Sequence, residues 1–108
     1  MINQSTPHDI EKQIEHEIRK IKYTIEELNK LKIEKFTHRN NLYYAKFNIC
    51  DNICHPIEYY KKSLEIDSLD NMIIEITRII DLERAKLIKQ KEYLRINKRQ
   101  LDEYDDHI

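Results

Sequence analysis

Ile66, Ile73, Ile80, Leu87, Leu94, Leu101 and Ile108 fall at intervals of seven, so one apolar position recurs without interruption through the second half of the chain. Residues seven apart share a face of an α-helix, whereas strand periodicity is two. The repeat therefore commits this half to a long helix with a buried, coiled-coil-like seam. The companion positions are Leu69, Ile76, Glu83, Gln90, Asn97 and Tyr104, which turn polar through the middle. Two readings are open. Glu83, Gln90 and Asn97 lie in the seam, where polar residues fix register at some cost in stability, or they lie at its edge while Leu82, Ile88, Tyr93 and Ile96 widen the apolar face.

The first half is also helical. Thr6, Pro7 and Asp9 make a helix start: a capping hydroxyl, a residue with preset φ, and an acid three places after the cap. Ile10, Ile14, Ile18, Ile21, Ile25 and Leu28 then follow 4-4-3-4-3 spacing on one face. Beyond Leu31 and Ile33 the apolar pattern slips in phase, and it is expected to resume inside the pair as Phe36, Tyr43, Phe47, Cys50 and Cys54.

The stretch NICDNICHP, residues 48–56, holds the one interior proline. Proline pushes the residue before it, His55, away from helical geometry, so the chain is expected to double back there. Helix 1 is placed at about 7–53, the turn at 54–57 and helix 2 at about 57–105. A weaker break is conceivable at 67–71, where Asp67 or Ser68 can cap, but the seven-residue register runs straight through. Charge favours the same doubling back. Residues 30–46 carry Lys30, Lys32, Lys35, Arg39 and Lys46 against Glu34, while residues 65–81 carry Glu65, Asp67, Asp70, Glu75 and Asp81 against Arg78. Folding at Pro56 brings residue i near residue 111 − i and sets these segments side by side, which selects an antiparallel orientation more than it adds stability.

The expected fold is thus a single all-α domain, residues 1–108, built as a long antiparallel helical hairpin. Its apolar stripes are broader than a two-stranded seam needs, which predicts a homodimer closing into a four-helix bundle.

Cys50, Cys54, His55 and Pro56 are read as structural residues of the turn. Two cysteines one helical turn apart with a single neighbouring histidine fall short of a tetrahedral zinc set, and a disulfide within one turn is poorly oriented, so neither a metal nor another cofactor is expected. The total lack of glycine removes the phosphate-cradling loops of nucleotide enzymes, and no paired-carboxylate or Ser/His/Asp arrangement stands out from a chain that is 36% charged. No apolar run approaches a membrane span and no secretory leader is visible, so a soluble, cytoplasmic protein with no membrane partner is expected. Heavy use of Ile, Lys and Asn fits an AT-rich genome, such as that of a virus, phage or mobile element.

One stretch stands apart. Residues 84–99 carry Arg84, Lys86, Lys89, Lys91, Arg95, Lys98 and Arg99 against Glu92 alone, although the whole chain has a net charge of −1. Arg84, Lys91, Arg95 and Lys98 share a helical stripe and are the candidate partner-binding residues. The expected function is non-enzymatic: a protein-interaction or inhibitory adaptor, with a nucleic-acid-binding dimer using 84–99 as the alternative.

Overall fold

The computed structural model describes residues 6–48 and 55–106. Two helices, α1 (Pro7–Asn48) and α2 (Pro56–Asp106), carry nearly all of them. They pair antiparallel as a hairpin: the start of α1 meets the end of α2, with His8 Nε2 at 3.2 Å from Asp105 Oδ1 and Asn97 Nδ2 donating to the Pro7 carbonyl at 3.0 Å. Further along, Arg39 meets Asp70. The His8–Asp105 and Arg39–Asp70 contacts both lie two places from the i, 111 − i register. Contacts divide the chain into two compact units, one of residues 1–26 with 81–108 and the other of residues 27–80.

The helix starts follow from local chemistry. Thr6 Oγ1 accepts the Asp9 N–H at 3.2 Å, and the Asp9 carboxylate accepts the Thr6 N–H at 3.3 Å and hydroxyl at 3.0 Å. This reciprocal cap satisfies donors that a helix terminus leaves orphaned. Pro56 occupies the first turn of α2, where its missing N–H costs nothing, and the His55 carbonyl accepts the first helical bond from Tyr59 at 3.0 Å. Cys50 and Cys54, the other residues assigned to the turn, lie outside the described residues. α2 passes through 67–71 unbroken, since Ile66, Leu69 and Ile73 are all buried there and neither glycine nor proline interrupts the backbone.

In the first unit, Ile18 and Ile21 of α1 are buried against α2, which contributes Leu101 and Asn97 to the same core. Glu83 and Gln90 are half-buried, whereas Leu82, Ile88, Tyr93 and Ile96 are exposed. The polar residues therefore occupy the seam itself. Asn97 is 4% exposed, and while its amide nitrogen bonds Pro7, its Oδ1 has no partner. An unpaired buried acceptor costs about 1–3 kcal/mol, so Asn97 trades stability for a fixed position of the α1 start.

In the second unit, α2 supplies most of the core: Ile66, Leu69, Ile73, Ile76 and Ile80 are buried. The α1 side differs from expectation. Its inward positions are Leu28, Lys32, Lys35, Arg39, Leu42 and Lys46, continuing the earlier 3-4 spacing with no slip. Phe36, Tyr43 and Phe47 are outside, at 44%, 39% and 66% exposure. A slip of one place would turn the inward face of α1 by about 100°, away from the unbroken seam of α2. Long cationic side chains fill these places because their alkyl stems lie along apolar surface while their charges reach water. Arg39 Nε donates to Asp70 Oδ1 at 3.0 Å with its guanidinium 5.2 Å from the Tyr43 ring centroid, and the Lys46 ammonium stands 4.6 Å from that of Tyr59.

Ile80, at 2% exposure, is the most deeply buried of the core residues, and Ile88 is 70% exposed. Ile80→Ala is expected to destabilise the fold by about 2–4 kcal/mol and Ile88→Ala by less than about 0.5 kcal/mol in urea unfolding followed by circular dichroism.

Candidate interaction surfaces

A residue that directly follows a seam position lies about 100° around the helix from it, and one that directly precedes it lies as far the other way. When two right-handed helices run in opposite directions, the following positions of both come to one side of the pair and the preceding positions to the other. The first unit displays this. A groove of about 460 Å³ is walled by Glu17, Lys20 and Thr24 from α1 and by Lys86, Lys89 and Tyr93 from α2, with Ile21, Glu83 and Gln90 beneath. All six wall residues directly precede seam positions.

The opposite side of that unit is strongly basic. Following positions on α2 are Arg84, Ile88, Lys91, Arg95, Lys98 and Asp102, and those on α1 are Lys12, Glu15, Arg19, Lys22 and Glu26. Seven cations thus share a face with three acids. The four candidate partner-binding residues all lie on it, joined by three cations of α1 that counting by segment does not reveal. Residues 12–27 balance in charge, but Glu17 and Lys20 point to the groove side. The signal was available in the seam phase of α1.

Half of the four candidates are already engaged. Arg84 Nη1 stands 3.8 Å from Asp81 Oδ1, and Arg95 holds Glu92 in a two-pronged bond at 3.0 and 2.5 Å. Lys91 and Lys98 are exposed and make no ion pair with a described residue. The Arg95 guanidinium, by hydrogen bonding first and charge second, holds the Glu92 carboxyl below the usual carboxylate range, with Arg99 adding to the effect. Arg78 acts likewise on Glu75. A carboxyl lowered in this way favours the helix above its ordinary titration range, and that support is lost as pH falls through the lowered value. Both pairs are fully exposed, so their role is to hold side chains in place more than to stabilise the fold.

In the second unit the following positions have a different character. They are Asn29, Ile33, Phe36, Asn40, Tyr43 and Phe47 on α1, with no charge among them, and Tyr60, Ser63, Asp67, Asp70, Ile74 and Thr77 on α2, with two acids and with Ser63, Asp70 and Thr77 half-buried. Tyr43 and Phe47 pack edge to face at 5.0 Å and, with Lys46 and Tyr59, line a hollow of about 160 Å³.

Among the described residues no three His, Cys, Asp or Glu side chains converge to hold a metal ion, and no helix is long and apolar enough to cross a membrane. No known protein family, characterised protein or solved structure matches the chain.

Replacing Arg95 by Gln is expected to move the Glu92 carboxyl midpoint upward, toward that of an ordinary exposed glutamate, in an NMR pH titration, with the Arg99 contribution retained and Glu75 unmoved. An unchanged Glu92 midpoint contradicts the pairing.

Proposed function

We propose that this protein is a non-enzymatic, macromolecule-binding helical hairpin that dimerises into a four-helix bundle and serves as a protein-interaction or inhibitory adaptor. Its partner is an acidic protein surface, engaged through Arg84, Lys91, Arg95 and Lys98. The observation that supports this reading most directly is the gathering of seven cations from both helices on one face of residues 1–26 and 81–108, in a chain whose net charge is −1. Charge of this kind steers association and selects partners more than it adds raw affinity.

A protein partner fits better than a nucleic acid. Glu15, Glu26 and Asp102 interleave with the cations, and Asp81 and Glu92 already occupy Arg84 and Arg95. A continuous phosphate backbone would meet these acids, whereas a folded surface presents acids at discrete places. The nucleic-acid reading keeps one specific support: Lys91 and Lys98 are free to meet phosphates.

The two readings separate in one experiment. Affinity capture from a host lysate compares the natural chain with a variant carrying Arg84→Glu, Lys91→Glu and Arg95→Glu. The adaptor reading expects a protein of acidic surface that the variant loses, while identical captured sets overturn it. In parallel, binding to mixed-sequence duplex DNA and to RNA is measured at low and moderate salt. Phosphate contacts predict a steep loss of affinity with salt, and no binding at low salt eliminates the alternative.

A further inference from the structure

We infer that the acidic partner is an α-helix that lies lengthwise along the basic flank of residues 1–26 and 81–108 and carries two acids seven residues apart. This rests on the reading above of that flank as the partner-binding surface, and it names the partner's structure and spacing.

The charges of the flank fall into levels. The hairpin keeps the i, 111 − i register to within two places where His8 meets Asp105. In that register, and to within one place, Lys12 of α1 stands level with Lys98 of α2, Glu15 with Arg95, Arg19 with Lys91, Lys22 with Ile88, and Glu26 with Arg84. The two arginines level with acids are engaged a second time along α2, Arg84 by Asp81 and Arg95 by Glu92. Asp102 and Asp105 close one end of the flank beside His8. Lys12, Arg19, Lys22, Lys91 and Lys98 are exposed and make no ion pair with a described residue. The unanswered charge is therefore concentrated at two levels, Lys12 with Lys98 and Arg19 with Lys91, and Lys22 lies one turn beyond the second. Like charges set side by side repel in the free hairpin, and an acid placed between them meets two cations at once, one from each helix.

The spacing selects the partner's structure. The two levels lie seven residues apart, about 10 Å along the helices. Residues on one side of a β-strand recur at about 6.7 Å and about 13 Å, so neither spacing fits. Residues seven apart on an α-helix are separated by about 10 Å and point within about 20° of one another. A phosphate backbone carries charge at closer intervals and brings part of it to Glu15. The intervening and flanking levels refine the pattern. Glu15 and Arg95 balance each other, so the residue three places after the first acid is uncharged. Ile88 is 70% exposed beside Lys22, so the residue three places after the second acid is apolar. These four partner positions repeat the 3-4 spacing with which a further helix packs along a coiled-coil pair.

The test uses the full chain and synthetic helices. Two alanine-based peptides of about 20 residues share the first acid, the uncharged residue and a leucine at the apolar position. In one the second glutamate stands seven residues after the first; in the other it stands nine after, which turns it to the opposite side of the helix. By fluorescence anisotropy at low salt, the natural chain is expected to bind the first peptide about 5-fold or more tighter than the second. Arg19→Glu combined with Lys91→Glu is expected to lose that preference and to bind instead a third peptide with lysine in place of the second glutamate, a gain that misfolding could not produce. Equal binding of the first two peptides, with both lost on combining Arg84→Glu, Lys91→Glu and Arg95→Glu, overturns the helix and its spacing and leaves the flank standing as the partner-binding surface. Binding of mixed-sequence duplex DNA but of neither peptide overturns the inference in favour of nucleic acid. Binding of neither peptide, with the same proteins captured by the natural chain and by that triple variant, overturns the inference and the reading of the flank together.

Discussion

The continuous 3-4 seam of α2 is the constraint on which the remaining structure depends. Because Ile66, Leu69, Ile73, Ile76 and Ile80 present an unbroken inward row, the opposing helix must present its own row at the same spacing, whatever residues stand there. In α1 that requirement places Lys32, Lys35 and Arg39 inside and three aromatic residues outside. Locally this is the less favourable choice for those aromatic groups. It is tolerated because a cation on a flexible stem can lie along apolar surface and still reach water, whereas turning α1 would forfeit the pairing with α2 altogether.

A narrow seam between two helices leaves two flanks in each unit, and the flanks are where this protein differs from a generic helical pair. One flank of residues 1–26 and 81–108 gathers cations from both helices, and in residues 27–80 the α1 row one place after the seam carries no charge. The same geometry underlies both faces, since each consists of residues placed one position after the seam. A single phase error anywhere in α1 would have scrambled them.

Much of this was legible from residue order. The Thr6–Asp9 cap, Pro56 at the start of α2, the antiparallel pairing and the continuity of α2 through Asp67 follow from local rules that operate within a turn or two of helix. The apolar stripe points Phe36 and Tyr43 inward and the structure places them outside, because hydrophobicity alone does not separate a core row from a second row beside it. Glu83 and Gln90 were ambiguous for the converse reason: half-buried polar side chains look like edge residues until the partner helix fixes the phase. The basic face was half legible. Its α2 members share a run, but Lys12, Arg19 and Lys22 join them only when charges are sorted by helical phase, which segment-wise counting averages away.

The α1 seam runs straight through Arg39, level with Asp70, and charge reversal across that pair probes this placement. Arg39→Asp and Asp70→Arg are each expected to lower the urea midpoint, while the double reversal recovers most of the loss, with a coupling of about 0.5–1 kcal/mol. A double variant destabilised by the sum of the two single effects would mean that these residues do not face each other, and that α1 turns Phe36 and Tyr43 inward instead.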